Sequence, residues 1–148
     1  MSNTTRRILW LDNDPAYTRP YVNSLREEGY HVIPVTTVTE AEDFIEKDRA
    51  DLFILDVMIP TKTEAEEEYY KPEVTDYGHK TGLIFYHRMK DKLRAANTPV
   101  LVMTVRLDKP LTNDFVAEGL PQDRFSTKMA LCDTPVFLKK VKQLLGEA

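Results

Sequence analysis

Asp51-Leu52-Phe53-Ile54-Leu55-Asp56-Val57-Met58-Ile59-Pro60 is the stretch on which the reading of this chain turns. Four consecutive apolar residues with polar neighbours have the length and composition of a strand buried on both faces. Asp56 follows the run directly, so a carboxylate stands at the C-terminal mouth of that strand, and Pro60 ends the extended segment. Working outward, Ile8-Leu9-Trp10-Leu11 is a second such run and ends in Asp12-Asn13-Asp14. Val100-Leu101-Val102-Met103 is a third and ends in Thr104, and Phe125-Ser126-Thr127 is a short one that ends in Lys128. Amphipathic stretches separate these runs, which is the pattern of βαβ units and a parallel sheet. Right-handed crossovers bring the C-terminal ends of parallel strands to one edge, where α/β proteins bind ligands. Asp12, Asn13, Asp14, Asp56, Thr104 and Lys128 are therefore expected to converge.

The helix signals are local. Asp14-Pro15 reads as an N-cap with proline at the first helical position, and Gly29 ends that helix near Glu28. A second strand spans about His31 to Val35. Thr37 with Glu40, or Thr39 with Glu42, forms a capping box for the next helix. Helices are expected after Gly82, over Leu111 to Glu118, and after Asp133 or Thr134. Residues 61–81 show no sustained period. They hold six acids against three lysines, which is three of the chain's four net negative charges. A long acidic loop is expected there, of the kind that is functional or solvated.

Composition narrows the function. A chain of 148 residues with 42% hydrophobic and 30% charged residues is expected to form one globular domain over residues 1–148, with 61–81 as an insert loop. A net charge of −4 argues against general binding to nucleic acid or membrane surfaces. Cys132 is the only cysteine, so an internal disulfide and a multi-thiolate metal site are excluded. His31, His79 and His87 have no ligand spacing. The polar start Met1 to Arg7 precedes only four apolar residues, so neither a signal peptide nor a membrane span is expected, and a cytoplasmic location is.

Clustered acids beside a lysine and a hydroxyl suit a hard divalent cation such as Mg²⁺, which binds through one or two carboxylates plus phosphate. A carboxylate in such a site can attack phosphorus, and the cations offset charge on the transferring oxygens. The segments Ile8-Leu9-Trp10-Leu11-Asp12-Asn13-Asp14-Pro15, Asp56-Val57-Met58-Ile59-Pro60, Val102-Met103-Thr104 and Phe125-Ser126-Thr127-Lys128 resemble the receiver domain of bacterial response regulators, over about residues 6–60 and 82–146. The resemblance implies a flavodoxin-like three-layer sandwich, with a five-stranded parallel sheet of order 2-1-3-4-5 and five helices. It implies that Asp56 accepts a phosphoryl group from a histidine kinase or phosphotransfer protein. Asp12, Asn13 and Asp56 would hold Mg²⁺, with Asp14 as a further ligand candidate. Thr104 would sense the phosphoryl group, Lys128 would pair with it, and Phe125 would be the switch aromatic.

With no output domain after the last helix, a stand-alone receiver is expected to act through a downstream protein target. It would use the surface from Leu111 to Leu145, and two copies can pair through the fourth-helix face. Such a module is not an enzyme beyond self-directed phosphotransfer and autodephosphorylation. The chain departs from the family at Asn13, where an acid is usual, at Val105 and Met129, and in the insert. An unphosphorylated receiver used only for protein interaction is one alternative. Another is a haloacid-dehalogenase-like phosphatase with Asp12 as nucleophile and Asp14 as acid.

Overall fold

A computed structural model describes residues 5–147. The expectation for the extreme N-terminus falls mostly on residues outside this range. Five strands form one all-parallel sheet, β1 (Arg7–Leu11), β2 (His31–Val35), β3 (Leu52–Leu55), β4 (Val100–Thr104) and β5 (Phe125–Thr127), in the order β2-β1-β3-β4-β5. This is the flavodoxin-like order. The register aligns the strand ends: Leu11 lies beside Leu55, Leu55 beside Val102, and Thr104 beside Thr127.

Strand alternation builds the two cores. Side chains of successive strand residues point to opposite faces. Leu9, Leu11, Phe53, Leu55, Val100 and Val102 face α2 (Val38–Lys47), α5 (Thr81–Ala95) and α6 (Lys109–Ala117), joining Ala41, Phe85, Met89 and Phe115. Ile8, Trp10, Leu52, Ile54, Leu101 and Met103 face the other way, towards α1 (Pro15–Glu27) and α7 (Thr134–Leu144), and meet Leu25, Phe137 and Val141. With both faces of the central strands covered, their residues are almost all apolar.

Helix ends follow their local chemistry. Asp14 caps α1, its carboxylate accepting from Tyr17 N–H at 3.2 Å. Gly29 takes φ +96° just past the helix, where a side chain would be strained. Of the two candidate caps, Thr37 serves α2, its hydroxyl accepting from Glu40 N–H, while the Glu40 carboxylate accepts from Thr36 N–H one residue earlier than a full box requires.

The helix count is corrected from five to seven. Within 61–81, the stretch expected as a loop, lie two short helices, α3 (Glu64–Tyr69) and α4 (Pro72–Thr75). Thr63 caps the first by accepting from Glu66 N–H, and Pro72 opens the second. The segment is anchored by two residues that the sequence presents as part of an acidic run. Glu66 is buried, with one carboxylate oxygen accepting from the backbone and hydroxyl of Thr39 and the other from Lys62 N–H at 2.6 Å. Tyr70 is buried and donates to Glu42 Oε1 at 2.7 Å, while Arg88 pairs with the same carboxylate and donates to the phenol oxygen at 3.1 Å. Tyr69 and Tyr77 remain exposed, the latter 80%.

Candidate functional site

Three strand ends supply the site's backbone scaffold. Asp12 N–H donates to Val35 O beyond the end of β1, Asp56 N–H donates to Leu11 O beyond β3, and Lys128 N–H donates to Thr104 O at 2.7 Å beyond β5. The sheet ladder thus continues one residue past each strand and points the three side chains at a common edge. Asp12 and Asp56 are each only 3% exposed, Thr104 is 0% exposed, and the Lys128 side chain is 12% exposed.

Lys128 links the two acids. Its Nζ lies 2.7 Å from Asp12 Oδ2 and 3.2 Å from Asp56 Oδ2. The Asp56 contact is a directed hydrogen bond, whereas Asp12 Oδ2 receives none, so its contact with the ammonium is ionic. The other oxygens are held by backbone. Asp12 Oδ1 accepts from Asp14 N–H at 2.9 Å, and Asp56 Oδ1 accepts from Val57 N–H at 2.7 Å. Thr104 Oγ1 is buried without a hydrogen-bond partner, a hydroxyl whose bonding capacity is unused.

The electrostatics follow from two carboxylates sharing one ammonium. Burial first, then the nearby Asp56 charge, raise the Asp12 carboxyl above its ordinary range, with Lys128 and the Asp14 amide opposing them. Burial works against the charge on Lys128, but the paired carboxylates outweigh it and its ammonium is held above the ordinary lysine value.

The other expected residues are distributed around this centre. Asn13 is half-buried beside Asp12. Asp14 is exposed; one of its carboxylate oxygens serves the α1 N-terminus, and its amide steadies Asp12. Phe125 is half-buried and packs edge-on to Phe115 with ring centroids 5.7 Å apart. Val105 and Met129 both point to solvent. No described peptide bond is cis, the one joining Lys128 to Met129 included.

The donor set fits Mg²⁺. Among the described residues no group of three Asp, Glu, His or Cys side chains forms a metal cage. However, Mg²⁺ needs only one or two carboxylates and completes its shell with water and phosphate. Two nearly buried carboxylates with one ammonium leave net negative charge, and Asp12 Oδ2 is buried without a directed hydrogen bond. Asn13 directly follows Asp12 and is half-buried. The phosphatase alternative is less well served. After Lys128 only Asp133 and Glu147 could supply the late acids such an enzyme uses for Mg²⁺, and Glu147 accepts from Tyr30 Oη at 2.6 Å and lies 3.6 Å from Arg6, at the N-terminal end of the sheet.

Two residues of the site escaped the sequence reading. The Tyr17 ring lies with its centroid 4.4 Å from Lys128 Nζ. In sequence it is one aromatic at helical spacing, which reads as core. Gly82 sits at the start of α5, its N–H donating to Val57 O at 2.8 Å. A Cβ there would fall 2.6 Å from Val57 Cα and closer still to the Asp56 carbonyl oxygen. The sequence reading placed the helix after Gly82, whereas α5 begins at Thr81 and contains it, so the close approach is visible only in the fold.

No protein-family model matches the sequence, and no curated protein matches it. Solved structures do. A response regulator receiver domain protein (CheY-like) from Methanospirillum hungatei JF-1 is 19% identical, with TM-score 0.73 over 97% of this chain and 95% of that one. A response regulator from Thermotoga maritima is 20% identical, with TM-score 0.70 over 97% and 100%. The signal receiver domain of a signal transduction histidine kinase from Syntrophus aciditrophicus is 26% identical, with TM-score 0.69 over 96% and 91%. Over nearly its whole length, the chain has the fold of the response regulator receiver domains of signal transduction.

Proposed function

We propose that residues 1–148 act as one receiver unit in two-component signalling, with Asp56 as the phosphoryl acceptor and a protein partner as the target. The observation that carries this reading is the Lys128 ammonium set between the buried Asp12 and Asp56 carboxylates, next to a strand end whose buried Thr104 hydroxyl has no partner.

The chemistry is a transfer to oxygen. A carboxylate oxygen of Asp56 attacks phosphorus of a phosphohistidine on a histidine kinase or phosphotransfer protein. The new O–P bond forms as the P–N bond breaks, and the bond electrons leave with the imidazole. Asp12, Asp56 and the Asn13 amide would hold Mg²⁺, which when bound offsets charge on the carboxylates and phosphoryl oxygens. Val57 N–H retains one carboxylate oxygen in place. Lys128 is free to exchange a carboxylate for a phosphoryl oxygen, and Thr104 to donate its unused hydroxyl to another. Each contact exists only in the modified state, so together they bias the molecule between two conformations. Phe125, packed on Phe115 next to β4, is suited to transmit the change to the surface from Leu111 to Leu145.

Incubation with acetyl phosphate and Mg²⁺, followed by intact mass measurement and peptide mapping, tests this. A single phosphoryl adduct on Asp56, absent from Asp56→Asn and from protein in EDTA, is expected. An unmodified chain under every donor overturns the acceptor role. The second reading is an interaction module that is never phosphorylated. Asn13 favours it, because an amide brings no charge to the metal shell.

A further inference from the structure

We infer that Tyr17 is a positioning residue whose ring face holds the Lys128 ammonium between Asp12 and Asp56. The functional consequence rests on the acceptor reading of Asp56. Lysine ends a flexible four-carbon stem, and a point charge on such a stem has no preferred direction of its own. Lys128 leaves a strand of only three residues, so its backbone anchor is short. The two carboxylates attract the ammonium at 2.7 and 3.2 Å. Tyr17 adds a third contact, with its ring centroid 4.4 Å from Nζ, well inside cation–π range.

Tyr17 is itself fixed in place. Its N–H donates to the Asp14 carbonyl at 3.1 Å and to the Asp14 carboxylate at 3.2 Å, which locks it into the first turn of α1. The ring packs on Tyr21 at 5.3 Å, and Tyr21 in turn stands edge-on to Phe137 at 5.2 Å. This aromatic row ties the Lys128 environment to the core under α7. The phenol oxygen is buried and makes no hydrogen bond. It is therefore the ring, and not the hydroxyl, that serves the site. A residue retained for its hydroxyl would have a partner for it.

This separates two substitutions. Tyr17→Phe keeps the ring and sheds an unsatisfied hydroxyl. Tyr17→Leu keeps bulk and apolarity but removes the π face. The first measurement is the proton resonance of the Lys128 ε-methylene in isotopically labelled protein, which a neighbouring ring face shifts upfield. The shift should persist in Tyr17→Phe and collapse in Tyr17→Leu. The second is the rate of phosphoryl uptake from acetyl phosphate with Mg²⁺. Tyr17→Phe should restore the wild-type rate, and Tyr17→Leu should be slower by about fivefold, the equivalent of one cation–π contact at a partly exposed site. In a Lys128→Ala background Tyr17→Leu should slow uptake no further, because the two residues act as one unit.

Lys128 resonances that do not move in Tyr17→Leu overturn the positioning role. So does a Tyr17→Leu rate equal to wild type, or one that falls equally with and without Lys128. Failure of the wild-type protein to take up phosphoryl at all is a different result. It removes the acceptor reading, and the resonance shift alone then decides whether Tyr17 places the ammonium.

Discussion

Ionising Asp12 costs the fold. The residue is 3% exposed, it lies close to a second carboxylate, and it shares one ammonium with that neighbour. Its pKa is raised, mainly by burial and then by Asp56. A carboxyl with a folded-state pKa above its unfolded one binds its proton more tightly in the folded chain. The contribution to stability is then full below the unfolded pKa, 3.8, and is lost as pH rises through the raised folded value. Asp12→Asn should therefore raise the melting temperature at pH 7 in EDTA. The gain should shrink as pH falls through the Asp12 titration. Thermal melts from pH 7 to pH 3 on both proteins check this; a loss of stability at pH 7 would show that the Lys128 pairing outweighs burial. Retaining a costly acid at this position is what a residue kept for binding or chemistry looks like.

At the scale of elements, one contact fixes the Asp56 loop and a second fixes the insert that follows it. One is the start of α5, where Gly82 lets the helix touch backbone at Asp56 and Val57. Gly82→Ala pushes a methyl group into main-chain atoms that cannot swing aside. Overpacking of this kind costs about 1–3 kcal/mol. Denaturant unfolding should show that loss, and amide resonances of Asp56 to Met58 should move in the folded variant. The other contact belongs to the insert. Glu66 binds Thr39 and Lys62, and it sits buried among donors that lose their acceptor if it is removed. Unsatisfied buried groups cost about 1–3 kcal/mol each, which is enough to free a short helix such as α3. Glu66→Ala should thus speed limited proteolysis within residues 61–81 several-fold, while cleavage elsewhere stays slow. Equal cleavage patterns would mean that Tyr70, through Glu42 and Arg88, suffices to hold the segment.

For the whole molecule, the sheet is the device that makes the site. Residues at positions 12, 56, 104 and 128 meet only because strands β1, β3, β4 and β5 are adjacent and parallel in matched register. Anything that binds their assembled form stabilises the entire fold by mass action. Mg²⁺ should accordingly raise the melting temperature of the wild-type protein in a saturable way. Asp12→Asn should abolish that increment while keeping its own higher baseline. Scanning calorimetry across a Mg²⁺ series distinguishes the two; an equal increment in both proteins would move the metal away from Asp12.

The strands and their order along the chain were legible because buried parallel strands are written as unbroken apolar runs, and their ends as the first polar residue after each run. The cap at Asp14 was equally plain, and that of α2 was narrowed to Thr37 or Thr39, since such signals lie within four residues. What the sequence alone determined was therefore local: which segments form strands, where they stop, and which chemistry stands at each stop. Tertiary structure decided the rest. Glu66 and Tyr70 look like members of a solvated acidic stretch until α2 and α5 are folded against them, because burial and partnership depend on residues 18–28 positions away. Tyr17 looks like core until Lys128, on another element, reaches its ring. Spacing along a chain carries periodicity, but not the distance between side chains on separate elements, and both the anchoring of the insert and the cage around the lysine are made of such distances.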